Sequence, residues 1–172
     1  MKYLLPLVAI ALTLSSCARK SEKELYVEGK AAYDQKQFEP AIEKFQEIVD
    51  RFTNTAYAES SQYSMAVIYN NDLHDVRKAV RSYQKFYALF PASKQAPTAL
   101  FLTGFLFNNE MHLLDSARNA YESFLRLYPD HELVSSAKFE LESLGKDPTQ
   151  LLKSQASSAG ETEQPKKTSR PR

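Results

Sequence analysis

The feature that most constrains this chain is a stretch that comes back. Ala79 to Pro91 reads AVRSYQKFYALFP, and its Ala79, Tyr83, Phe86 and Pro91 return as Ala117, Tyr121, Phe124 and Pro129, each 38 positions on (117 − 79 = 38). The same pattern stands 38 positions earlier as Ala41, Phe45 and Ile48, with Thr53 where the proline would be. Three copies in one register describe a stacked array of like units, in which each unit buries its apolar face on its neighbours.

The half of each copy that precedes this stretch repeats as well. Ala66 and Tyr69 precede Ala79 at the distances by which Gly104 and Phe107 precede Ala117. Gly29 and Ala32 precede Ala41 by one residue less, so the first copy has a turn one residue shorter. The order of small residue, aromatic, turn, small residue, aromatic, apolar residue and proline resembles the tetratricopeptide repeat (TPR), a helix–turn–helix unit. The resemblance implies an all-α, TPR-type α-solenoid. The small residues of helix A (Gly29, Ala66, Gly104) are expected to face those of helix B (Ala41, Ala79, Ala117) where the two helices cross. Proline cannot continue helix B and so closes the unit. The departures are the absent tryptophan, Thr53 for proline, and units longer than the usual TPR.

Residues 1–16 are expected to be a signal peptide. Lys2 is followed by an apolar run from Tyr3 to Leu14, too short to span a bilayer. The run ends in Leu14-Ser15-Ser16-Cys17, which resembles the bacterial lipobox. That resemblance implies a diacylglycerol on the Cys17 sulfur and cleavage before it. Cys17 is the one cysteine, so an intrachain disulfide is excluded. Ala18, in place of aspartate, leans the resemblance toward the outer membrane, with the protein on its periplasmic side. Residues 17–21 read as a short lipidated tether.

Residues 22–145 read as three repeats and a capping helix. The first pair is Leu25 to Gln35 and Phe38 to Arg51, the latter carrying Ala41, Ile42, Phe45, Ile48 and Val49 on one stripe. Thr53-Asn54-Thr55 supplies a turn and a cap for a second helix A over about 57–70, with its helix B over about 75–89. Ser93 opens the third helix A, Pro97 lies in its first turn, and Asp115 caps the following helix B. Asp130 caps a last helix over about 131–144 that Gly145 and Pro148 end. Residues 146–172 are rich in Ser, Thr, Gln, Pro and charge, and read as a disordered tail.

TPR arrays bind partners on the concave face lined by helix A. Carried onto this sequence, the groove positions are Tyr26, Lys30 and Tyr33, then Tyr63, Val67 and Asn70, then Phe101, Phe105 and Asn108. Tyr26, Tyr63 and Phe101 are equivalent and are expected to form an aromatic strip; their competing role is packing between helices. Asn70-Asn71 and Asn108-Asn109 also repeat, and the favoured reading is that they end helix A in the left-handed conformation. His74 and His112 recur in the A–B turns without a second ligand at metal spacing, and His131 reads as a surface residue of a first turn. No catalytic motif is present, no cofactor beyond the lipid is expected, and 22 basic against 21 acidic residues give no reason to expect nucleic acid.

A lipobox followed at once by TPRs resembles two groups of Gram-negative envelope proteins. One is the YfiO family, which includes BamD, a lipoprotein of β-barrel outer-membrane protein assembly; the stretch LYVEGKAAYDQKQFEPAIEKFQEIVDRFTNTAYAESSQY resembles its first repeat. The other is the TPR domain of YbgF (CpoB), which works beside Tol–Pal in division. The expected function is therefore a membrane-anchored protein-interaction scaffold of BamD type, with a Tol–Pal coordinator or an accessory subunit of another envelope complex as alternatives.

Overall fold

Seven α-helices follow one another in the computed structural model, which describes residues 19–146. The expected signal peptide, Cys17 and all but the first residue of the expected tail lie outside the described residues. The helices are α1 (Glu22–Asp34), α2 (Phe38–Arg51), α3 (Ala56–Val67), α4 (Val76–Leu89), α5 (Ala96–Asn109), α6 (Leu114–Leu127) and α7 (Val134–Ser143). A π-helical turn, Ile68–Asp72, extends α3. Each helix packs on the next, and α1 also touches α3. The pairs α1–α2, α3–α4 and α5–α6 are the three expected repeats, and no strand occurs among the described residues.

The helices form because each B helix carries one apolar stripe. Ala41, Phe45, Ile48 and Val49 of α2 are buried, as are Ala79, Val80, Tyr83 and Phe86 of α4 and Ala117, Ala120, Tyr121 and Phe124 of α6. The small residues of helix A have a different partner from the expected one. A Cβ added to Gly29 would lie 2.7 Å from the Phe45 ring, and one added to Gly104 would lie 2.8 Å from the Tyr121 ring. The glycines thus make room for the B-helix ring one turn beyond the small residue. Ala66 shares the middle cluster with Tyr83, the equivalent ring.

The extra residue of the second and third copies has a definite place. In the first A–B turn the Gln37 N–H donates to the Ala32 carbonyl at 2.9 Å; in the others Asp75 donates to Tyr69 and Leu113 to Phe107, both at 2.8 Å. Those two rings of hydrogen-bonded backbone are one residue larger (37 − 32 = 5, against 75 − 69 = 113 − 107 = 6). The middle copy absorbs the residue as the π turn, the usual way a helix takes up a single insertion. The left-handed residues of the A–B turns are Lys36, His74 and His112, with φ of 60°, 51° and 54°. The asparagines expected to fill that role do not fill it. Histidine is among the few types that tolerate this region, which accounts for the repeated histidines without a metal.

Each B helix also ends alike. Phe52, Phe90 and Tyr128 follow the last turns with φ/ψ of −128/58°, −125/57° and −131/57°. Thr53 therefore starts the same exit as Pro91 and Pro129, and the first exit adds a left-handed Asn54 at φ 65°. Thr55 caps α3 as expected, accepting from the Ala58 N–H at 3.1 Å. Asp75 caps α4 through the Lys78 N–H at 3.0 Å. Two expected caps are corrected. Leu113, not Asp115, holds the cap position of α6, because Leu113 is the 38-residue equivalent of Asp75; Asp115 lies in the first turn, where its charge favours the helix N-terminus. Asp130 caps nothing, since the turn after Pro129 runs on and α7 starts at Val134 behind Leu133. His131 is half-buried in that turn, its ring edge-on to Phe124 at 5.6 Å and its Nδ1 accepting from the Leu133 N–H at 3.2 Å.

Helix α7 stops the array. Ala137 and Leu144 bury one side against the third repeat, as Ala99 and Leu106 do one unit earlier. On the other side Lys138 and Glu142 replace Leu100 and Gly104 and are exposed, so no further helix B can approach closely. Among the described residues no helix is long and apolar enough to cross a membrane.

The ring contact sets a test of sign. On an open helix surface Gly→Ala stabilises by about 1 kcal/mol through helix propensity. Gly104→Ala is expected to do the reverse, lowering the thermal midpoint by the equivalent of roughly 1–3 kcal/mol, because the Tyr121 ring is fully enclosed. A raised midpoint in a calorimetric scan would show that the ring gives way freely.

Candidate partner-binding face

The first helices of the repeats present the residues that the sequence singles out. Four of the nine come together. Lys30 and Tyr33 of α1, with Tyr63 and Val67 of α3, line a cleft of ≈ 180 Å³ whose floor includes Phe45 and Ile68 and whose rim includes Ser64. The cleft exists because α1 and α3 are neighbours across the first repeat boundary. Its walls are aromatic and aliphatic. At its mouth Lys30 is exposed, with its ammonium 5.0 Å from the Tyr33 ring centroid and 3.9 Å from the Asp34 carboxylate.

The three equivalent rings do not form one bare strip. Each is half-buried and leans on aromatics of neighbouring helices. Tyr26 lies 5.7 Å from Phe45 and 5.2 Å from Tyr57. Tyr63 stands edge-on to Tyr83 at 5.9 Å and to Phe86 at 5.1 Å. Phe101 lies 5.7 Å from Tyr121 and 5.9 Å from Phe124. One edge of each ring serves its own apolar cluster, and the remaining area faces outward. Tilted and edge-on ring pairs of this kind add to the apolar burial itself.

The third repeat is closed off differently. Phe105 is exposed, but the Asn108 side chain donates to the Glu140 carboxylate of α7 at 3.2 Å, and the Tyr121 hydroxyl reaches the same carboxylate at 3.4 Å. Asn70 is half-buried in the π turn and donates to the Asn71 side chain at 2.6 Å. The open part of the face therefore lies over repeats one and two.

Sequence reasoning passed over the opposite side. Glu39, Glu43, Glu47 and Asp50 line an outer cleft of ≈ 610 Å³ with Ile42, Tyr69, Leu73 and Lys78. The signal was legible: Glu39, Glu43 and Glu47 are one turn apart on α2. The same three positions of α4 carry Arg77, Arg81 and Lys85, so the outer face changes sign from one repeat to the next.

Among the described residues no set of three or more His, Cys, Asp or Glu is placed to hold a metal. What the inner face offers is apolar contact, tyrosine hydroxyls and one cation. Burial raises the Tyr63 hydroxyl above the ordinary tyrosine value. Burial raises Tyr83 as well, and burial followed by the Glu140 charge raises Tyr121. All three stay protonated, as donors, at any physiological pH.

The family model named YfiO, described as outer membrane lipoprotein, matches residues 18–145. No curated protein matches the chain. Among solved structures, the TPR domain of Arabidopsis OM64 is similar at a TM-score of 0.50 and 20% identity, over 73% of this chain and 94% of that one. At that identity the likeness shows the fold, which is a TPR array.

The raised tyrosines give a pH dependence of definite sign. Below about pH 10 the folded and unfolded chains are both protonated at these groups, and the stability is fully present. Above it the unfolded chain loses protons that the folded chain keeps. Stability then falls by at most about 1.4 kcal/mol per pH unit for each group. Urea unfolding followed from pH 8 to 11 is expected to show this loss, and Tyr83→Phe to flatten it. An identical slope in Tyr83→Phe would remove that ring from the account.

Proposed function

The chain belongs to the YfiO family of outer membrane lipoproteins, and on that footing we propose that it is a lipid-anchored adaptor in the assembly of β-barrel outer-membrane proteins. A TPR array of this family is a protein-interaction scaffold, and the proposal concerns what it holds and where. The reading places the diacylglycerol on Cys17, the array on the periplasmic side of the outer membrane, and the partner segment along the helix-A face.

One observation carries the binding part. Lys30, Tyr33, Tyr63 and Val67 derive from two repeats, are groove positions that the TPR resemblance implies, and line one cleft. A partner side chain entering it buries apolar area against Phe45 and Ile68, at about 25 cal/mol per Å² covered, less the cost of ordering the segment. Tyr63 supplies a hydroxyl donor, and Lys30 favours a carboxylate beside the anchor. The part-buried rings limit what mutagenesis can separate: Tyr63→Ala removes a core edge together with a contact. Lys30→Glu and Ser64→Arg act at the mouth and rim and leave the core alone.

The expected outcome is that the full-length chain, taken from membranes in mild detergent, retains β-barrel assembly proteins. Lys30→Glu and Ser64→Arg are expected to lower that recovery while the thermal melt stays at the wild-type midpoint. Recovery of Tol–Pal proteins in their place would assign the chain to division, and recovery unaffected by either substitution would move the partner off this face. Cys17→Ser is expected to leave an unprocessed chain without lipid, detected as a larger mass and as loss from the outer-membrane fraction. A Cys17→Ser chain that still matures and stays with membranes would sink the anchor.

A further inference from the structure

We propose that the array does not swing on its lipid anchor, because the start of the chain is clamped to the first repeat so that the N-terminal edge of α1 lies against the bilayer. The inference rests on the reading of Cys17 as the lipidated residue and adds to it an orientation and a membrane contact.

Two helices hold the same residue. The Lys20 ammonium pairs with Glu28 of α1, and the Lys20 carbonyl accepts from Arg51 Nη2 of α2 at 2.8 Å. Arg51 is itself fixed from two sides. It pairs with Glu47, and its guanidinium lies 4.7 Å over the Phe52 ring; its side chain is only 19% exposed. The next residue, Ser21, is held by a reciprocal cap: its Oγ accepts from the Glu24 N–H at 3.3 Å while its own N–H donates to the Glu24 carboxylate at 2.8 Å. The chain is thus fixed from Lys20 onward, and three residue steps separate Lys20 from Cys17. Fully extended, they reach about 10 Å.

That reach decides which surface meets the membrane. Val27 lies five residues into α1, about 8 Å along the axis, and is the most exposed large apolar residue of the described chain, at 58%. Lys23, one turn earlier on the same face, is exposed, as is Arg19 ahead of the helix. Of the three carboxylates on this part of α1, Glu28 is paired with Lys20, Glu24 is taken up by the Ser21 cap, and Glu22 is half-buried. With Glu24 and Glu28 engaged by Ser21 and Lys20, the edge offers an exposed apolar side chain with Lys23 as the nearby cation outside those pairs, which suits an anionic headgroup layer. Lys138 on α7 lies at the other end of the array, several helix diameters away.

The test uses the full lipidated chain in phosphatidylethanolamine–phosphatidylglycerol vesicles containing brominated lipid. With Cys17 acylated, an introduced cysteine is the one reactive thiol. A bimane label on Val27→Cys is expected to be quenched several-fold more than one on Lys138→Cys. Arg51→Gln is expected to erase the difference while the chain still floats with the vesicles. A Gly/Ser insertion after Ala18 lengthens the free chain without touching the clamp and is expected to do the same, which keeps the test open should Arg51→Gln fold poorly. Equal quenching at the two labels in a chain that floats overturns the clamp and leaves the anchor standing. So does a difference that survives the insertion. Failure of the unmodified chain to float overturns the anchor, and this inference with it.

Discussion

The contact on which the rest of this array depends is an aromatic ring of helix B lying on a residue of helix A that has little or no side chain. Phe45 over Gly29 and Tyr121 over Gly104 leave no room for a methyl group. A ring enclosed this way fixes how closely the two helices approach, and hence where both faces of the repeat point. The second aromatic layer follows from it. Tyr26, Tyr63 and Phe101 lean on those rings or on the residue three positions later, and so each groove-side ring is also a core ring. Interiors packed at crystal-like density transmit such constraints rather than absorb them.

The repeat made the fold legible, because one period aligned helix starts, ends and buried positions without any help from local propensity. Helix α2 runs over the expected Phe38–Arg51, and the buried positions of α4 and α6 are those of the repeated stretch. The same period was misread where residue type was trusted over register. Asp115 and Asp130 have good capping side chains, yet the equivalent of Asp75 is Leu113, and geometry follows the register. Asparagine is a good left-handed residue, yet the left-handed place falls three positions beyond Asn71 and Asn109, on His74 and His112. The aromatic exits Phe52, Phe90 and Tyr128 recur at the full period, each one residue ahead of Thr53, Pro91 and Pro129.

The candidate site was legible in part, for a related reason. Equivalent positions predict which residues share a face, and Lys30, Tyr33, Tyr63 and Val67 do share one cleft. They do not predict what else covers that face. Asn108 is engaged because Glu140 reaches back from α7, and Glu140 belongs to the unit in which the pattern breaks down. A pairing between a repeat and its cap has no second copy, so periodicity cannot announce it.

The two ends of the array are therefore unlike, and the asymmetry decides where binding can occur. At the C-terminal end Lys138 and Glu142 stand at positions that would have to be apolar or small for stacking to continue, and Glu140 engages Asn108 and the Tyr121 hydroxyl on the inner face of repeat three. At the N-terminal end the inner face stays open, with tyrosines half-covered and a lysine at the mouth. On the proposed reading, partner contact on the inner face falls on repeats one and two, the part of the array nearest Lys20, which Arg51 and Glu28 hold. A segment bound there lies close to whatever surface the N-terminus is fixed to. Under the function proposed above, proximity of cleft and anchor would shorten the distance over which a held segment must be passed on.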